Sequence, residues 1–107
     1  MKFTKEDIQK IIYIIRTPMT AIACRTQDGA ESLLSMLGNQ GIYWSSGIRA
    51  SRDNTNWEQH EERTEYNLVD GYLKFGSIAW AEDNAYTIIY FEDIFAPRVS
   101  LLDILST

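Results

Sequence analysis

Apolar residues recur at Ile8, Ile11, Ile12 and Ile15, the i, i+3, i+4, i+7 spacing of one helix face. Thr4 stands where an N-cap belongs, with Glu6 and Asp7 in the first turn, so the pattern predicts a helix over 4–16, closed before Pro18. Residues 20–25 read as a short strand with Ile22 and Cys24 on one face and small alanines on the other. Asp28 looks like the cap of a second helix over 29–37, with Glu31 reaching back to it. Leu33, Leu34 and Leu37 give that helix its buried stripe, and Gly38 is the expected left-handed stop. Gly41 and Gly47 bracket a strand at 42–46. The clearest local signature is the pair of apolar runs at 66–69 and 72–75 around Asp70-Gly71, a two-residue hairpin turn. Residues 77–83 read as a helical turn carrying Trp80. Residues 86–92 are apolar on both faces, which predicts a central strand. A short C-terminal helix is expected over 100–105. The order implies an α+β fold: an antiparallel or mixed sheet of about four strands packed by helices.

Composition limits what such a fold does. The chain has 107 residues, 45% of them hydrophobic, enough for one packed domain. No apolar run approaches the roughly 20 residues a membrane span needs, and the N-terminus lacks the ordered parts of a secretory signal. A lone cysteine forms no internal disulfide and fits a reducing compartment, so a cytoplasmic protein is expected. The net charge of −5 argues against general nucleic-acid binding. That charge is unevenly spread. Lys2, Lys5, Lys10, Arg16 and Arg25 against Glu6 and Asp7 leave residues 1–26 at +3, whereas residues 65–107 stand at −5.

Few residues offer chemistry. Cys24 and His60 are the obvious nucleophile and base, but Cys24 falls in an apolar strand, where cysteine behaves as a small hydrophobe. His60-Glu61-Glu62-Arg63 lacks the second histidine of a zinc helix. The run from Asp53 to Asn56 opens like a calcium loop, yet Glu58 and Thr64 occupy positions where that loop needs Gly and Glu. Phosphate-cradling glycine motifs are missing, so neither an enzyme nor a cofactor is expected. Two constellations remain. Glu82, Asp83, Glu92 and Asp93 form an acidic group suited to a basic protein groove. Trp44, Arg49, Arg52 and Trp57 form an aromatic and basic group suited to stacking on a nucleotide and clamping its phosphate.

The succession of the Ile-Ala-Cys strand, the Leu-rich helix, Gly41-Ile42-Tyr43-Trp44-Ser45-Ser46-Gly47, Trp57, Gly71 to Gly76, Trp80 and the 86–93 segment resembles a group of small proteins of bacteriophages and prophages. The resemblance covers residues 20–94 and leaves the N-terminal helix (1–17) and the C-terminal extension (95–107) outside. It implies an origin, and no shared catalytic residue comes with it. Proteins of that kind include anti-CRISPR and other anti-defence proteins, most of them stoichiometric binders. The leading expectation is therefore an inhibitor that binds a host defence protein, such as a CRISPR nuclease, through Glu82, Asp83, Glu92 and Asp93. The first alternative is a nucleotide-signal sponge built on Trp44, Arg49, Arg52 and Trp57. The second is a non-catalytic module that forms a homodimer through Leu101, Leu102, Ile104 and Leu105.

Overall fold

The computed structural model describes residues 3–95; the expected helix at 100–105, with the Leu101, Leu102, Ile104 and Leu105 patch, lies outside them. The first helix, α1 (Lys5–Arg16), starts as its capping pattern demands. Thr4 Oγ1 accepts from the Asp7 amide at 3.1 Å and Asp7 accepts from the Thr4 amide at 2.9 Å, a reciprocal box that satisfies two otherwise orphaned donors. Ile11 and Ile15 are fully buried. Met19, at φ +59°, then turns the chain into β1 (Thr20–Ala23), all four of whose residues are buried.

The second helix, α2 (Gln27–Asn39), begins earlier than expected. Its cap is Thr26, whose hydroxyl accepts from the Gly29 amide at 3.0 Å. Asp28 sits within the first turn instead, where its charge complements the helix dipole. Gly38 is likewise not the stop. It lies inside the helix because the backbone of Ala50 crosses there, and a Cβ would stand 1.7 Å from the Ala50 carbonyl oxygen. The left-handed residue is Gly41, at φ +80°.

The expected strand at 42–46 is a tight turn rather than a member of the sheet. With Gly41 and Gly47 both at positive φ, the chain reverses on either side and only single bridges form, Tyr43 to Arg49 and Trp44 to Leu73. The polar stretch that follows is organised by side chains. Asn54 Oδ1 accepts from Trp44 Nε1 and the Ser51 amide at 2.9 and 2.8 Å. Two short 3₁₀ turns, Trp57–Gln59 and Glu61–Arg63, lead into the hairpin.

That hairpin forms as its sequence predicts. Strands β2 (Thr64–Val69) and β3 (Tyr72–Ser77) pair from Thr64–Ser77 to Val69–Tyr72, and Asp70 and Gly71 take φ of +54° and +84°, the mirror-image turn that matches strand twist. Ser77 then caps α3 (Ile78–Asp83), accepting from the Trp80 amide at 3.1 Å. Strand β4 (Thr87–Tyr90) ends early, because Phe91 opens the short helix α4 (Phe91–Ile94).

The sheet is four-stranded and mixed, in the order β3-β2-β1-β4, with β1 antiparallel to β2 and parallel to β4. The fold is thus α+β as expected, but the interior positions belong to β1 and β2, and β4 is an edge. The two-sided apolarity of β4 reflects layers on both faces of the sheet, not strands on both of its edges. One face carries the cross-strand row Phe75, Tyr66, Ile22 and Ile89 and packs in the main core with Ile11, Ile15, Leu33, Leu34 and Leu37 of α1 and α2. The other face carries Gly76, Glu65, Ala23 and Tyr90. Trp80 of α3 lies over it: a Cβ on Gly76 would come within 3.7 Å of Trp80 Cε3.

Candidate binding surface

The four expected acidic residues divide into two pairs with different duties. Glu92 and Asp93, on α4, are engaged within the fold. Glu92 Oε1 accepts from the Arg25 amide at 2.9 Å, and the Asp93 carboxylate holds the Arg25 guanidinium by two bonds of 2.6 and 3.1 Å. The guanidinium also stacks over the Tyr90 ring, 4.1 Å from its centroid. Asp93, through its hydrogen bond first and its charge second, raises the Arg25 pKa further. This arrangement closes the end of β1 onto α4. A Cβ at position 29 would collide with Glu92 Oε2, so the first turn of α2 carries a glycine where that carboxylate enters.

Glu82 and Asp83 are exposed at the end of α3. Glu82 lines an open groove of about 900 Å³ together with Glu61, Glu62, Arg63, His60 and Tyr90. The second 3₁₀ turn brings Glu61 and Glu62 there, with Glu61 at φ +52°. Among the described residues the ion pairs are Arg25–Asp93 and Arg52–Glu31, so Glu61, Glu62, Glu82 and Asp83 keep their carboxylates uncommitted. Trp80, 46% exposed, is carried by the same helix as Glu82 and Asp83 and packs at a tilt on Tyr86, 5.6 Å between centroids. Sequence reasoning missed Glu61 and Glu62 as partners of Glu82, since only the fold carries the 3₁₀ turn to α3. Their charge was visible; their neighbour was not.

The aromatic and basic group is not assembled as one pocket. Trp44 and Trp57 are both buried. Trp44 meets Tyr66 and Phe75 edge-on, and its N–H is taken by Asn54, so neither indole offers a free face for stacking. Arg49 lies over the ring of Tyr43 at 5.5 Å. Arg52 pairs with Glu31 at 3.2 Å and faces a different hollow, one shared by Ser32, Ser35 and Phe91 between α2 and α4.

Cys24 is buried, and burial first and Glu92 second push its thiol well above the usual range, the reverse of an activated nucleophile. His60 sits near the ring of Phe75, 6.2 Å between centroids. No group of three metal-ligating side chains is gathered among the described residues, and no helix among them is long and apolar enough to cross a membrane. Comparison with known proteins finds no matching family, no similar curated protein and no similar solved structure.

Proposed function

We propose that this chain is a phage-derived inhibitor without catalytic activity of its own, acting one-to-one on a host defence protein of the CRISPR nuclease kind. It lays the acidic rim formed by Glu61, Glu62, Glu82 and Asp83 against a basic, nucleic-acid-binding surface of that protein. The observation that carries the reading is a set of exposed carboxylates in no ion pair, Glu61, Glu62 and Glu82 at one groove and Asp83 next to Glu82, with a half-exposed tryptophan on the same helix α3. Such a patch steers a basic partner electrostatically, and an indole is a frequent anchor at the centre of an interface. The engagement of Glu92 and Asp93 with Arg25 moves the proposed contact away from them and onto the 3₁₀ turn. The phage-like residue pattern supplies the class of partner.

Titration of the chain into guide-loaded CRISPR nucleases, followed by DNA cleavage, tests this. Inhibition is expected to saturate at one chain per nuclease and to weaken as salt rises. The triple reversal Glu61→Lys, Glu62→Lys and Glu82→Lys is expected to abolish it, while Asp93→Asn leaves it nearly intact. Full cleavage at every ratio by every nuclease tried would remove the proposed partner class, and an equally potent triple variant would remove the acidic rim.

A further inference from the structure

Glu65 and Asn67 lie on the β2 face that α3 covers, and both side chains are shut away from solvent, at 0% and 1% exposure. Their hydrogen bonds do not balance. Asn67 Nδ2 donates to Glu65 Oε1 at 2.6 Å and to Oε2 at 3.2 Å, while Asn67 Oδ1 is buried without a partner. An ionised carboxylate beside an amide oxygen gives a surplus of acceptors in a place water does not reach, which is costly. One proton corrects it. A protonated Glu65 donates its O–H to Asn67 Oδ1 once the amide turns about χ2, and Nδ2 continues to donate to the other carboxyl oxygen. That acid–amide pair satisfies every side-chain polar atom of the two residues.

The surroundings leave room for such a change and little to oppose it. Glu65 is flanked across the sheet by Ala23 and Gly76, the smallest neighbours available, and a Cβ at Gly76 would stand 3.1 Å from Glu65 Oε2. On β3 the charged group of this face is Lys74, opposite Asn67 and exposed. Beyond Ala23, β4 contributes Tyr90. The acids of α3, Glu82 and Asp83, are exposed, as are Glu61 and Glu62 of the turn before β2. The charges of α1 lie beyond the opposite face. Burial pushes the Glu65 carboxyl up to about 7, against the smaller opposing pulls of the Asn67 amide and the Gly76 backbone N–H.

We propose that Glu65 and Asn67 form a proton latch beneath α3: the protonated carboxyl closes a two-bond pair with Asn67, and loss of the proton loosens α3 so that water reaches the carboxylate. The latch stands independently of any partner. It places a proton-sensitive element under Trp80 and Glu82, so a surface carried by α3 is held most firmly below neutral pH.

The carboxyl carbon of Glu65, followed by NMR on the intact chain from pH 4 to 9, is expected to titrate near 7. Hydrogen-exchange protection of the α3 amides is expected to fall by up to about tenfold per pH unit as pH rises from the ordinary carboxyl value of 4.5 to about 7, and to level off above that. Glu65→Gln presents an N–H₂ to Asn67 Oδ1 and an oxygen to Asn67 Nδ2, so its α3 protection is expected to stay high and flat across the range. A Glu65 carbon that titrates below pH 5, or a Gln variant that loses protection as the wild type does, overturns the latch. If the variant does not fold, the wild-type carbon titration decides the question alone.

Discussion

The two faces of the sheet are built from the same strands by different rules. On the face under α1 and α2, Phe75, Tyr66, Ile22 and Ile89 form an unbroken apolar row that interlocks with the isoleucines and leucines of both helices. On the face under α3, small residues alternate with a carboxyl, an amide and a phenol. The first face is held by close packing, which is insensitive to pH and tolerates no missing volume. The second is held by hydrogen bonds whose number depends on a proton. The difference assigns stability to one side and responsiveness to the other, and it can be attacked from either.

The largest effect is expected on the apolar side. Ile22 is fully buried at the centre of β1, with neighbours on both strands and helices above, so the site has little freedom to collapse. Ile22→Ala is expected to cost about 2–5 kcal/mol of unfolding free energy, read by denaturant titration, with the same loss at pH 5 and pH 8. A loss that grew or vanished between those conditions would show that the two faces are not separable.

The second effect belongs to the polar side. The Glu65 carboxyl has a folded pKa raised from 4.5 to about 7, so between those values the folded chain binds more protons than the unfolded one. Its contribution to stability is therefore fully present below about pH 4.5, declines as pH rises, and is gone above about pH 7. The shift corresponds to at most about 3 kcal/mol. Melting temperatures measured from pH 4.5 to 8 are expected to fall in the wild type and to change much less in Glu65→Gln. Ionisation of other carboxylates adds its own slope at the acid end, and the variant serves to subtract it.

The apolar side was far more legible in the sequence than the polar one, for a physical reason. Thr4 with Asp7 and Asp70-Gly71 act within four residues of themselves, so the cap of α1 and the hairpin turn are readable locally and form as expected. Gly38 and Asp28 misled because their roles are decided elsewhere: Gly38 by the crossing of Ala50, and Asp28 because the oxygen that reaches the Gly29 amide is that of Thr26. The same holds for β4, whose apolar faces say nothing about its edges. Glu65 and Asn67 alternate with Tyr66 and Leu68 and so read as the solvent side of a strand. Only the register, which sets Ala23 and Gly76 opposite Glu65, and the placement of α3 over them turn that polar side into a buried one. The candidate surface was half legible. Glu82 and Asp83 were found from charge, and the engagement of Glu92 and Asp93 required the position of Arg25.

The smallest effect tests where the comparison ends, at the Arg25–Asp93 pair that joins β1 to α4. Both side chains are about half exposed, 48% and 57%, so solvent screens most of their attraction and the pair contributes little. The geometry is nevertheless two-pronged and the guanidinium stacks on Tyr90, which keeps the expected value above zero. Arg25→Ala is expected to lower stability only slightly, far less than Ile22→Ala, and to show its loss mainly at low salt, because screening already removes part of the pair at high salt. A double-mutant cycle with Asp93→Ala separates the pair from the stacking on Tyr90, since only the pair produces coupling between the two substitutions. A coupling near zero, with the Arg25→Ala cost retained, would assign the contact to the aromatic ring. Tyr90 belongs to the row beneath α3, so that result would extend the polar face to the end of α4.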